Sequence, residues 1–212
     1  EVVEVAKTPS IKFEAQDEAG NPINPIDRSL SQDQKADALA DLSKENKPIL
    51  DQYAADIDKE LGTTSKTNEK TKDSIISKAN RPSLKERQAE HDVEHIRDSF
   101  RLKTVVDNIG QMGGVLKKAA AAGFEILKID DKKLFTPSAW GWRIFPVDMR
   151  MPNGQIVEHY MPIREIEDVK KEAHKLYEKW RDKDVSNLSQ DDLKSYREDL
   201  KKSNELYQGA WN

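Results

Sequence analysis

Met151-Pro-Asn-Gly154 separates two runs of strand-forming residues, and a tight turn flanked in this way closes most readily as an antiparallel hairpin. Pro137-Ser-Ala-Trp-Gly-Trp142 leads through a turn into the first strand, and Gln155-Ile-Val-Glu-His-Tyr-Met161 returns as the second. Successive strand residues point to opposite faces, so Glu158 and Tyr160 share one face and His159 takes the other. Trp142, Arg143, Glu158 and His159 are the groups such a hairpin offers to a pocket, which makes it the suspected wall of a site.

At 212 residues, 36% hydrophobic and 35% charged, the chain fits one domain with a modest core and substantial polar extensions. Without cysteine it has no disulfides, thiolate catalysis or thiolate metal sites, and its redox compartment stays open. No apolar run approaches the roughly 20 residues needed to cross a bilayer, and no signal-like start is present. We expect a soluble chain with no membrane span and a cytoplasmic site of action, and read Glu1 as the start of a fragment of a larger protein. A net charge of -4 argues against broad coating of nucleic acid but leaves room for a local basic pocket.

In chain order, residues 1–30 read as a loosely attached arm, with an alternating Ser10-Ile-Lys-Phe-Glu piece and turn formers at Gly20-Asn-Pro and Asn24-Pro. Residues 31–66 form a helical extension that starts at a Ser31/Gln34 capping box and that Pro48 divides into two antiparallel helices. Thr63 to Thr71 is a linker or mobile loop, Lys72 to Ala79 a short helix, and Leu84 to Ile96 a surface helix. Phe100 to Val106 alternates as a strand with Asp98 at its entry. Asp107 caps a helix ended by Gly123, and Phe124 to Ile129 is a further strand before the hairpin. Ile166, Val169, Ala173, Leu176, Tyr177 and Trp180 recur at helical spacing, and Ser189 with Asp192 opens a C-terminal helix over 184–212. The pattern predicts an α+β domain: a mixed sheet flanked by helices, with helical extensions at both ends.

Asp98 and Glu158, on two strands, suit a Mg²⁺ ion that substrate phosphates also hold; their ordinary reading is a solvated strand terminus and an outward charge. Lys70 and Lys78 flank Ser74-Ile75, and Arg101 and Lys103 alternate on a strand, a set that neutralises a triphosphate or serves solubility. Trp142, after Gly141, either stacks on a purine base or fills core. His91 and His95 are four apart but carry Asp92 where a metalloprotease helix has glutamate. His174 lies one residue off its helix stripe and reaches toward the sheet.

From about Lys70 to Tyr177 these residues resemble the nucleotidyltransferase-like synthetase domain of the RelA/SpoT alarmone enzymes. The resemblance rests on Lys70-Thr-Lys-Asp-Ser-Ile-Ile-Ser-Lys78, Asp98-Ser-Phe-Arg-Leu-Lys103, Pro137-Ser-Ala-Trp-Gly-Trp142, Gly154-Gln-Ile-Val-Glu158 and His174-Lys-Leu-Tyr177, in the family's order. It implies a five-stranded mixed sheet over residues 67–183, ATP as donor, and transfer of pyrophosphate to the 3'-hydroxyl of a guanine nucleotide with release of AMP. It further implies Asp98 and Glu158 as Mg²⁺ ligands, with Glu158 activating the acceptor hydroxyl. Lys70 and Lys78 would then hold ATP phosphates, Lys103 would replace a strand arginine, and Trp142 would replace a tyrosine that stacks on the acceptor base. Ser74, Arg101, Arg143, Tyr160 and His174 complete the expected nucleotide-binding set.

Departures bear on the acceptor: Asn68 stands for an arginine, Pro146 for a histidine, Tyr160 for a glutamine, and Pro162 removes an arginine. Three readings follow. The chain is a transferase with a changed acceptor, a nucleotide or an RNA such as tRNA, as a toxin or effector domain. It is alternatively a catalytically degenerate copy that binds a nucleotide or a protein partner. The third reading is a helical structural module with a small sheet.

Overall fold

A computed structural model describes residues 15–88 and 90–211. The Ser10-Ile-Lys-Phe-Glu piece lies outside the described residues. From residue 15 onward the arm is fastened to the domain, which corrects the loose attachment expected of it. Asn24, fully buried, donates to the carbonyls of Glu94 and Ile96 and accepts from the Ile156 N–H at 2.8 Å. One side chain thereby satisfies backbone groups of two distant segments that burial would otherwise leave unpaired.

Ser31 and Gln34 form the expected capping box at the start of α1 (Gln32–Leu61), but the break expected at Pro48 does not occur. Proline in a helix interior costs about 3 kcal/mol through a lost hydrogen bond and a clash. Leu39, Ser43, Asn46, Leu50, Tyr53 and Ile57 nevertheless make one buried stripe that crosses it. Burying Leu50 and Ile57 alone contributes about 1.5–3 kcal/mol each, enough to carry one helix through the defect.

Next comes β1 (Thr64–Glu69), where a linker or mobile loop is expected. Its polar sequence hides it, because an edge strand needs a ladder rather than an apolar face. Asp58 anchors its start, accepting from the Ser65 N–H and from the hydroxyls of Thr63 and Ser65. β1 runs through residues 66–67, where the helical extension was expected to give way to the domain.

α2 (Lys72–Ala79) is capped by Thr71 and buries Ile75. The surface helix expected over Leu84–Ile96 is instead α3 (Pro82–Arg87) and a separate 3₁₀ turn at Val93–His95. The buried Lys35 of α1 donates to Asp92 at 2.8 Å and Glu94 at 3.1 Å, drawing this acidic stretch inward so that Val93 and Ile96 are buried.

β2 (Phe100–Val105) leads to α4 (Ile109–Ala121), which is capped by Asn108 rather than by the expected Asp107. β3 (Glu125–Ile129), a single turn of helix α5 (Lys132–Phe135), and the expected hairpin of β4 (Phe145–Arg150) and β5 (Ile156–Met161) follow. α6 (Arg164–Trp180) and α7 (Gln190–Trp211) complete the chain.

The five strands run in the order β1-β2-β5-β4-β3, with β2 and β5 parallel and the other neighbours antiparallel. Phe100 and Leu102 of β2 and Val157 and Met161 of β5 join Tyr53 and Ile57 of α1 and Met112 and Val115 of α4 in the main core. α1 and α4 thus cover one face of the sheet. α6 and α7 pack together, and Ile166, Ala173 and Tyr207 form a separate cluster that takes in Trp142. Among the described residues no helix is long and apolar enough to cross a membrane.

Candidate functional site

The alternation that sends Phe100, Leu102, Val157 and Met161 into the main core sends Arg101, Lys103, Glu158 and Tyr160 to the opposite face. Strand register sets them in rows: Arg101 is paired with Glu158 and Lys103 with Tyr160, while β4 adds Asp148 beside Glu158 and Pro146 beside Tyr160. His159 takes the core face. It is fully buried, meets Thr104 Oγ1 at 2.8 Å, and burial lowers its pKa to about 3.

Asp98 enters this face just ahead of β2. The Lys70 N–H donates to the Ser99 carbonyl at 2.8 Å, which brings the end of β1 beside it, and Lys78 arrives from the last turn of α2. Lys78 Nζ lies 2.6 Å from Asp98 Oδ1 and Lys70 Nζ 3.5 Å from Oδ2. Burial works to raise the Asp98 carboxyl, but Lys78, Lys70 and Arg101 outweigh it and hold the group below the ordinary carboxylate range. Glu158 moves the other way: burial, then Asp98 and Asp148, push its carboxyl up against the pull of Lys78 and Arg101. Two neighbouring carboxyls whose surroundings drive their pKa values apart can divide an ionic and a proton-accepting role between them. Lys70 is itself lowered, chiefly by burial.

The two acids fit a divalent cation. Asp98 Oδ1 already faces the Lys78 ammonium at 2.6 Å, and Asp98 disfavours the ionised form of its neighbour Glu158. A hard cation bound by both would offset that repulsion. No group of three or more metal-ligating side chains assembles among the described residues. Mg²⁺ commonly keeps several waters and takes substrate phosphates beside one or two carboxylates, and a pair of acids would suit it.

Arg101, Glu158 and Tyr160 continue as the floor of a cleft of about 830 Å³. Trp140 and Trp142 wall one side, and α6 and α7 contribute Lys170, His174, Tyr177 and Tyr207. Trp142 is half-buried, with Lys170 Nζ 5.5 Å from its ring. The loop that carries it is clamped to α7: Ser203 Oγ donates to the Trp140 carbonyl and Asn204 Nδ2 to that of Ala139. Gly141, at φ +87°, lies so close that a Cβ there would stand 3.0 Å from Asn204 Cα.

Of the other expected site residues, His174 lines the cleft and the rest do not. Arg143 turns away from the cleft, donates to the carbonyls of Leu134 and Phe135, and stacks over Trp211. Ser74 sits exposed on the first turn of α2, its Oγ accepting from the Thr71 hydroxyl, outside the cleft lining. Lys103 is held by Glu167 of α6. His174 lines the cleft, stacked on Tyr177 and 3.2 Å from Glu178. His95 lies 3.5 Å from Asp17, with the His91 ring centroid 5.5 Å from its own.

Asp148, Glu167 and Lys170 are residues that sequence reasoning passes over. Asp148 carried a usable signal, since counting back from Met151-Pro-Asn-Gly154 in hairpin register places it opposite Glu158. Glu167 and Lys170 carried none, because any charged pair three apart on a helix reads as a solvated face.

No protein-family model matches the sequence, and no curated protein matches it. Likeness appears among solved structures. The small alarmone synthetase 2 of Bacillus subtilis superposes with a TM-score of 0.53 at 18% identity, over 80% of this chain and 88% of that one. The type VI effector Tas1, solved in complex with its immunity protein, gives a TM-score of 0.52 at 18% identity, over 84% of this chain and 94% of that one. At such identities the likeness establishes architecture: this chain has the RelA/SpoT-like nucleotidyltransferase fold, a mixed five-stranded sheet flanked by helices and extended by helices at both ends.

Proposed function

We propose that the chain transfers pyrophosphate from ATP to the 3'-hydroxyl of a nucleotide or RNA acceptor, as a toxin or effector domain. The observation that carries this reading is the pairing of Asp98 and Glu158 on one sheet face with opposite pKa shifts, beside Lys70 and Lys78. Lys70 and Lys78 bind the phosphates of ATP as charge-assisted donors. Glu158, raised by burial and its acidic neighbours, takes the proton of the acceptor hydroxyl as that oxygen attacks the β-phosphorus and AMP departs. Trp142 and Tyr160 offer flat faces to the acceptor base in the cleft. Asp98 and Glu158 would hold Mg²⁺, whose contribution when bound is to neutralise charge on the phosphates.

One observation favours a second reading, nucleotide or partner binding without turnover. Pro146 lies beside Tyr160 in the cleft, where the resemblance implies a histidine, and a proline offers no proton or donor there. Incubation with labelled ATP, Mg²⁺ and a panel of nucleotides and tRNA separates the readings. AMP release that depends on an acceptor and is lost by a factor of ~10² or more in Glu158→Gln supports transfer. ATP binding without AMP supports the second reading, and absence of nucleotide binding leaves an interaction module.

A further inference from the structure

Three cationic side chains, Arg101, Lys133 and Lys170, line the cleft together with the imidazole of His174. Three of these four side chains stand beside a carboxylate of this chain. Lys133 Nζ is 3.2 Å from Asp130, His174 Nε2 is 3.2 Å from Glu178, and Lys170 Nζ is 3.6 Å from Glu167. Arg101 differs. Among the described residues it forms no ion pair, its Nη2 meets only the Asn68 amide oxygen at 3.3 Å, and its Nε is buried without a partner.

Glu167 does more than answer Lys170. Its Oε1 holds Lys103 Nζ, the neighbour of Tyr160 on the cleft floor, and its Oε2 is buried with no hydrogen-bond partner. Lys170, its other partner, lies 5.5 Å from the Trp142 ring and 5.7 Å from the Tyr160 ring, both of which line the cleft. One carboxylate thus offsets two ammonium groups, and this end of the cleft presents a single net positive charge where the lysines alone would present two.

We infer that Glu167 is a specificity-determining residue that tunes the cleft toward acceptor nucleotides carrying few phosphates. This rests on the reading above that the cleft takes the acceptor. A 5'-triphosphate brings more negative charge than Arg101 and one net lysine can neutralise, and it meets the fixed Glu167 carboxylate as a like charge. A monophosphate matches that supply. Selection here works through repulsion of the wrong ligand as much as attraction of the right one.

The test is a charge series read as a preference ratio, monophosphate over triphosphate, for guanosine and adenosine nucleotides. Glu167→Gln raises the net charge of the trio to two, Lys103→Gln lowers it to zero, and the double variant restores one. Relative to the wild-type protein, the ratio should fall about tenfold in Glu167→Gln, the scale of one partly screened charge at this range. It should rise by a similar factor in Lys103→Gln and return to the wild-type value in the double variant. Because the two single variants move the ratio in opposite directions, a folding defect in either leaves the other decisive.

The ratio is measured twice, as kcat/KM for AMP release from ATP and as calorimetric affinity of the same nucleotides without ATP. If no acceptor supports AMP release, the transfer reading fails while the affinity ratios still decide the role of Glu167. Equal ratios across the series, or no binding of any nucleotide, overturn the inference.

Discussion

Glu158 is held where its ionised form is disfavoured, and that has a measurable consequence for stability as well as for chemistry. Burial and the nearby Asp98 and Asp148 raise its folded-state pKa above the ordinary 4.5. A carboxyl of that kind binds its proton more tightly in the folded protein, so its effect on stability is most favourable below the unfolded pKa and is lost as pH rises through the folded one. Glu158→Gln should therefore raise the thermal midpoint at neutral pH while abolishing turnover, and denaturation at pH 4 should show the gain gone. The acid limb of the activity profile should sit above pH 4.5, since the proton acceptor must be ionised. A lower midpoint for the variant at neutral pH defeats the argument. This much of the site was legible, because strand alternation assigns Glu158 and Tyr160 to one face and His159 to the other. Arg143 was not, since it follows Gly141 in a loop whose left-handed backbone no alternation describes.

Elements were legible where an apolar stripe was clean and obscure where tertiary contacts overrode local preference. The hairpin, α4 and α6 follow directly from turn chemistry and spacing. β1 is polar and acquires its form from β2, while the Val93–His95 turn is drawn inward by Lys35, a partner 57 residues away from Asp92. Pro48 misleads for the same reason, and its cost should be recoverable. Pro48→Ala restores a helix hydrogen bond but frees the unfolded chain, so the net gain should be about 2 kcal/mol. In a domain of this size that amounts to ~4–8 °C in Tm, and no rise would show that α1 accommodates the proline without that cost. Gly141 makes the opposite case. At φ +87°, 3.0 Å from Asn204 Cα where a Cβ would fall, it has no room for alanine. Gly141→Ala should cost ~2 kcal/mol or more and part the Trp140–Trp142 loop from α7. AMP release should then fail through a raised acceptor KM while calorimetry finds ATP affinity intact; equal loss of both would mean the loop serves the whole domain.

At the scale of the molecule, the site exists because β2 and β5 are parallel neighbours although 55 residues separate Thr104 from His159. No local pattern encodes that adjacency; it follows from the β2-β5-β4 order, which brings Asp98, Asp148 and Glu158 together from three segments. Lys78 and Lys70 come from a helix and an edge strand that pack on this frame, so a ligand gripping both lysines ties α2 and β1 to the sheet. A ligand of the folded state alone stabilises by mass action, about 2.7 kcal/mol at a hundredfold excess over Kd. A non-hydrolysable ATP analogue with Mg²⁺ should accordingly raise Tm by ~5–10 °C. Chelating the Mg²⁺ should shrink the shift, since the analogue's phosphates then meet two bare carboxylates. Lys78→Met should lose it and also lower the unliganded midpoint, because Asp98 is left buried with its nearest cation removed. A full shift in that variant would locate the nucleotide somewhere other than this face of the sheet.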